Sequence, residues 1–157
     1  MLITSASLLL FFLGCVAGLR SLTAPAVVCW AAHLGWLHFA GTKLAFLAHP
    51  ATLSIFTLLA LLELTTDKLP KTPARTAPPG LIARIVFGGF CGVALATSAG
   101  GSQIASAIVG IIGALVGTFG GYHIRHTLVQ RAHLPDAVAL AEDFIAIAGG
   151  LLIVSHR

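Results

Sequence analysis

The longest uncharged stretch of the chain decides its fold class. It reads IVFGGFCGVALATSAGGSQIASAIVGIIGALVGTFGGYHI, residues 85–124, and is bounded by Arg84 and Arg125. A spanning helix needs roughly 20 apolar residues, so the stretch is long enough for two. Paired glycines and small polar residues at 97–102 favour a turn near its middle. The stretch therefore predicts two apolar helices joined as a hairpin, over residues 82–99 and 103–122.

The whole chain is as rich in apolar residues and as poor in charged ones as a membrane protein. Hydrophobic residues make up 57% and charged residues 9%, whereas soluble domains carry roughly 25% charged residues. The mean hydropathy is +0.99. So few polar residues cannot cover a surface that faces water, which excludes a soluble enzyme and a disordered chain. A length of 157 residues fits one domain, and we predict an all-α polytopic transmembrane helix bundle over residues 1–157.

Further apolar segments complete the predicted bundle. They are residues 2–19, 22–41, 46–66 and 136–154. Segment 22–41 is interrupted by proline and glycine, so it is either a full span or a broken or re-entrant piece. We expect five helices, or six if that segment spans. The basic, proline-rich segment 68–81 is expected to be a cytoplasmic loop, in accordance with the positive-inside rule.

Small residues recur every four positions on both helices of the hairpin. The set comprises Gly88, Gly92, Ala96 and Gly100, then Ser102, Ser106 and Gly110, and finally Gly113, Gly117 and Gly121. Such stripes let two helix backbones approach closely within a membrane. They can serve packing inside the hairpin, a seam between two copies of the chain, or the lining of a pore. We expect a homo-oligomer, with a dimer as the simplest form, in contact with the lipid bilayer.

Several charged residues fall where the membrane spans must lie. They are Arg20, Glu63, Asp67, Arg125, Glu142 and Asp143. Only residues 144–154 follow the last two acids within their apolar segment, which is about 16 Å of helix and half of a hydrocarbon core roughly 30 Å thick. A charge at such a depth costs about 2.5–3.5 kcal/mol and usually faces a protein interior or a wet cavity. The two arginines are the natural counter-ions of the acids.

Two functions fit this placement of charges. In the first, the six residues form a mid-membrane site of a small transporter or channel-like protein that moves an ion or a small polar solute. The acids would bind a cation or carry protons, and the arginines would bind an anionic group. In the second, a non-transporting structural or assembly protein uses the same charges as ion pairs that fix helix register, and its glycine faces bind a partner.

Other classes of function find less support in the sequence. An intramembrane enzyme that acts on lipid head groups would need an acid and a nucleophile at the interface, and Thr65, Thr66 and Asp67 are the only nearby candidates. No nucleophile, phosphate-binding or dinucleotide-binding motif is present, so we expect no enzymatic activity and no cofactor. His123 and His126 flank Arg125 but form no metal-binding motif. The basic residues of segment 68–81 are explained by membrane topology, so we expect no nucleic-acid partner.

A set of motifs resembles a known family. The motifs are Gly18-Leu19-Arg20, Glu63-x3-Asp67-Lys68-x-Pro70, Gly117-Thr118-x2-Gly121-Tyr122-x2-Arg125 and Glu142-Asp143. Together they are similar to the uncharacterised membrane family called domain of unknown function 4126, over nearly the whole chain. The resemblance implies a compact multi-pass protein of the bacterial plasma (inner) membrane, and it implies no activity.

Overall fold

The computed structural model describes residues 5–67 and 77–156, and within them the chain is a bundle of helices without strands. The helices are α1 (Ser5–Leu19), α2 (Thr23–His33), α3 (Pro50–Thr66), α4 (Pro78–Ala99), α5 (Gln103–Ala132) and α6 (Pro135–Ser155), with a 3₁₀ turn at Ala45–Ala48. The prediction of an all-α bundle is confirmed. In this described part, α4, α5 and α6 are long and apolar enough to cross a membrane, as expected of a membrane protein.

The second apolar segment is helical over only half of its expected length. Helix α2 ends at His33, whereas the predicted segment continued to residue 41. Gly35 and Gly41 both have positive φ, at 77° and 75°, a backbone conformation that ends a right-handed helix. Helix α3 starts at Pro50 and not at residue 46, because His49 accepts a hydrogen bond from the Ala51 amide and proline fits the first helical turn.

The apolar hairpin of α4 and α5 is longer than its uncharged residues suggested. Helix α4 begins at Pro78, inside the segment predicted as loop 68–81, because its prolines occupy the first turn, where an N–H is not needed. The part of that loop over residues 68–76 lies outside the described residues. Helix α5 continues to Ala132, ten residues beyond the predicted end at 122, since no glycine or proline interrupts residues 122–132.

The small-residue stripes are used inside the chain, where they bring α5 close to both α1 and α4. A Cβ atom on Gly117 would lie 2.2 Å from the carbonyl oxygen of Cys15 in α1, and one on Gly110 would lie 2.2 Å from the carbonyl oxygen of Gly88 in α4. No side chain fits between backbones at that distance. These three helices therefore form the tightly packed part of the bundle.

The helix directions bring several helix ends to one level. Gly14 contacts Gly110 and Gly18 contacts Thr118, so α1 runs parallel to α5. Helix α2 turns back after residues 20–22 and runs alongside α6, where Val27 contacts Gly150. Helix α3 runs antiparallel to α2. The break between α1 and α2, the end of α3 and the middle of α5 consequently meet, and the candidate site lies there.

Candidate functional site

Arg20 is the centre of the site. It is fully buried at the break between α1 and α2, with 0% of its surface exposed. Its Nη1 atom donates to Oδ2 of Asp67, just after α3, and its Nη2 atom donates to Oδ1 of Asp143 in α6. Charge-assisted hydrogen bonds of this kind are among the strongest in proteins. One guanidinium thus joins three separate parts of the bundle.

Glu63 binds the start of α2 with its carboxylate. Its Oε1 atom accepts hydrogen bonds from the Ser21 amide at 2.8 Å and the Ser21 hydroxyl at 2.6 Å, and its Oε2 atom accepts from the Leu22 amide at 2.8 Å. These amides belong to the N-terminus of a helix, which otherwise lacks acceptors and carries a partial positive charge. Within the described residues, the donors to Glu63 are all neutral groups.

A carbonyl at the end of α1 completes the inner part of the site. The oxygen of Gly18 accepts from Nε of Arg84 at 3.0 Å and from the Thr118 hydroxyl at 3.2 Å. Thr118 also donates to the carbonyl oxygen of Ala114 at 2.7 Å. Because the last carbonyls of a helix have no partner within it, these two buried side chains stabilise the break between α1 and α2.

Arg125 and Glu142 form a second pair, outside this inner cluster. The Nη1 atom of Arg125 lies 3.5 Å from Oε2 of Glu142, and their side chains are 28% and 10% exposed. Both residues line a groove of about 390 Å³ between α5 and α6, which reaches Leu19 at its inner end. The structure therefore divides the six predicted residues into two sets, and the neighbours Glu142 and Asp143 belong to different ones.

Sequence reasoning missed three residues of the inner cluster. Arg84 was visible as the charge that bounds the uncharged stretch, and its place in a small-residue stripe could have suggested a buried role. Ser21 and Thr118 gave no such signal, because isolated hydroxyl residues are common in apolar helices. Their contribution depends on contacts between helices far apart in the sequence.

Two buried polar atoms at the site have no hydrogen-bond partner among the residues that the structure describes. They are Nε of Arg20 and Oγ1 of Thr23. Both lie at the break between α1 and α2, where a water molecule could satisfy them. Across the described ranges, no three His, Cys, Asp or Glu side chains are arranged to hold a metal ion.

Comparison with known proteins identifies the same family that the sequence motifs resemble. No curated protein and no solved structure matches the chain. One family model matches residues 8–156, which contain every residue of the inner cluster and of the outer pair. The chain therefore belongs to the family described as "Domain of unknown function (DUF4126)".

Proposed function

We propose that the protein is a small multi-pass transporter or channel-like protein of the bacterial inner membrane that moves a proton or a small cation through the inner cluster. The observation that carries this proposal is the environment of Glu63. This carboxylate lies among helices and is held by neutral donors of Ser21 and Leu22. A proton or cation can therefore bind Glu63 without breaking an ion pair within the described residues.

The hydrogen bonds of Arg20 favour a cation over an anion. Both of its terminal nitrogens already donate to carboxylates, those of Asp67 and Asp143. An anionic substrate would have to displace a charge-assisted hydrogen bond from a buried arginine, which costs several kcal/mol. We therefore assign Arg20 and its two aspartates to the scaffold of the site, and Glu63 to ion binding.

Ion binding at Glu63 is coupled to the break between α1 and α2. An ionised carboxylate accepts hydrogen bonds at both oxygens, whereas a protonated one is itself a donor at one oxygen. Protonation of Oε2 would weaken the hydrogen bond that Oε2 accepts from the Leu22 amide. The start of α2 would then be free to move, and broken helices are the parts of transporters at which ions bind and gates open.

The position of the cluster along α5 supports a site within the bilayer. Helix α5 has 30 residues, or about 45 Å, which equals the thickness of a bilayer with its headgroups. Thr118 lies near the middle of this helix and donates to Gly18, two residues before Arg20. If α5 crosses the whole bilayer, the inner cluster is close to its mid-plane.

Flux measurements on the purified protein in liposomes test this proposal. Proton, sodium and potassium gradients are imposed in turn, and the wild type is compared with Glu63→Gln and Glu142→Gln. We expect flux of one of these ions in the wild type, a loss of at least about tenfold in Glu63→Gln, and a smaller loss in Glu142→Gln. Asp136→Asn is the matched control, since Asp136 is an exposed acid in the first turn of α6.

Two results would contradict the proposal. One is the absence of wild-type flux over the ion panel, and the other is unchanged flux in Glu63→Gln. Circular dichroism of each variant shows whether a loss of flux is a loss of structure.

A non-transporting structural or assembly role is the second candidate. It is favoured by the ion pairs of Arg20 with Asp67 and Asp143, which connect three parts of the bundle, as expected of ion pairs that fix helix register. The contacts of Gly110 and Gly117 are with helices of the same chain, so a partner protein or a second copy would bind elsewhere. Gly120 lies on an open face of α5, where an added Cβ atom would meet no atom within 4 Å.

A further inference from the structure

Arg125 lies between two recesses. On one side is the groove between α5 and α6, of about 390 Å³, which is lined by apolar side chains apart from the pair Arg125 and Glu142. On the other side is a recess of about 300 Å³ lined by Tyr122, Arg125, His126, Val129 and Gln130. A guanidinium at the edge of an apolar groove suits an amphiphilic molecule with an anionic headgroup.

The guanidinium of Arg125 has unused capacity to bind an anion. Its contact with Glu142, at 3.5 Å, is longer than the 2.7–2.9 Å typical of a charge-assisted hydrogen bond. The structure shows no hydrogen bond from Arg125 to any of the residues that it describes. A guanidinium carries five donors in a planar fork that matches phosphate oxygens.

The dimensions of the groove fit one acyl chain. Its wall on α6 runs from the start of the helix at Leu134 to Ile145, which is about 16 Å of helix. One leaflet contributes half of a hydrocarbon core that is roughly 30 Å thick. Arg125 meets this wall at Glu142, so about 12 Å of it, from Leu134 to Glu142, lies on one side of the guanidinium, which is most of the depth of one leaflet.

The outer surface around the groove is apolar as well. Ile124 and Leu134 are each about 60% exposed, and Phe144 is 73% exposed. Large apolar side chains exposed together are unfavourable in water and favourable in lipid. The groove therefore faces acyl chains rather than solvent.

We propose that an anionic phospholipid binds at this place. One acyl chain lies in the groove between α5 and α6, and the phosphate accepts hydrogen bonds from Arg125. The recess lined by Tyr122, His126 and Gln130 receives the rest of the headgroup. This inference does not depend on transport, because the inner cluster around Arg20 takes no part in it.

Native mass spectrometry of the full chain in detergent tests the proposal. The probes are phosphatidylglycerol and phosphatidylcholine with identical acyl chains, and glycerol phosphate, which has no acyl chain. We expect phosphatidylglycerol to bind at least about tenfold more tightly than phosphatidylcholine, because both offer a phosphate to Arg125, but the choline of phosphatidylcholine adds a cation that the guanidinium repels. Arg125→Gln should abolish this preference. Arg131→Gln should keep it, since Arg131 is an exposed residue of the same helix that lines neither recess.

Two further variants separate the headgroup from the acyl chain. Glu142→Gln removes the anion that competes for Arg125, so it should raise the affinity for phosphatidylglycerol severalfold. Ala141→Phe places a large side chain in the groove and should weaken the binding of both lipids. Circular dichroism confirms that each variant retains its helices, and Arg125→Lys, which keeps the charge without the fork, should retain part of the preference.

Four results would overturn the inference. They are equal binding of the two lipids by the wild type, an unchanged preference in Arg125→Gln, binding of glycerol phosphate as tight as that of phosphatidylglycerol, and a dimer that Ala141→Phe dissociates. The third would indicate a site for free phosphate esters, and the fourth would indicate that a second copy of the chain fills the groove.

Discussion

Two glycines of α5, three residues apart, should respond in opposite ways to the same substitution. In Gly117→Ala, the new Cβ atom would lie 2.2 Å from the carbonyl oxygen and 2.8 Å from the Cα atom of Cys15 in α1. In Gly120→Ala, it would meet no atom within 4 Å. Both glycines lie inside one helix, so the intrinsic gain in helix propensity is the same for both.

The expected magnitudes follow from these distances. Ordinary contact begins at 3.4 Å, so α1 and α5 must separate by about 1.2 Å at Gly117. The contacting atoms are backbone and cannot rotate away, and overpacking of this kind costs about 1–3 kcal/mol. Gly120→Ala should instead stabilise the fold by about 0.5–1 kcal/mol, because alanine favours a helix over glycine. Because the gain in helix propensity is common to both variants, their difference is the overpacking cost, about 1–3 kcal/mol.

Reversible unfolding in mixed detergent micelles, followed by circular dichroism, measures this difference. Both variants are compared with the wild type at equal detergent composition. The reasoning is refuted if Gly117→Ala unfolds at the same denaturant fraction as Gly120→Ala, since α1 and α5 would then not be in backbone contact at Cys15.

The remaining predictions concern the inner cluster. Asp67→Asn and Asp143→Asn should each lower the free energy of unfolding by about 3 kcal/mol. The double variant should lose more than the sum of the two single losses, because it leaves Arg20 buried without a carboxylate. Strict additivity in a double-mutant cycle would show that the two aspartates do not share Arg20. Thr118→Val should cost about 1 kcal/mol, because it removes the hydroxyl that donates to Gly18 and Ala114. Thr118→Ser should be closer to the wild type in the same unfolding assay, and equal losses in the two variants would argue that packing rather than hydrogen bonding matters there.

The sequence was sufficient to predict the class of fold and several members of the site. Scarce charges indicated a helical membrane bundle, and the position of Asp143 near the middle of an apolar segment indicated that it is buried with a cation. Arg20 and Arg125 could be named as its candidate counter-ions, although the sequence did not show which of the two pairs with Asp143. These inferences depend on the free-energy cost of placing a charge in lipid, and the sequence shows directly which charged residues fall within apolar segments.

The rest could not be predicted, because it depends on which helices are neighbours. The sequence does not reveal that α1 and α2 fold back at Arg20, since no glycine or proline occupies residues 20–22. It therefore could not show that Glu63 binds the start of α2, or that Arg84 and Thr118 share the carbonyl of Gly18. Helix α5 likewise extends beyond its predicted end at residue 122, because a change from apolar to polar residues does not by itself end a helix.

The adjacency of Glu142 and Asp143 has a thermodynamic consequence. Successive residues of an α-helix point about 100° apart, so α6 is held on two sides, by Arg125 at one and by Arg20 at the other. A ligand that draws Arg125 away from Glu142 weakens one of these two connections, and it changes the free energy of turning the helix about its own axis. Rotation of α6 would thus couple the two sites. Such coupling is reciprocal: an ion bound near Arg20 would change the affinity for a ligand at Arg125 by the same factor by which that ligand changes the affinity for the ion.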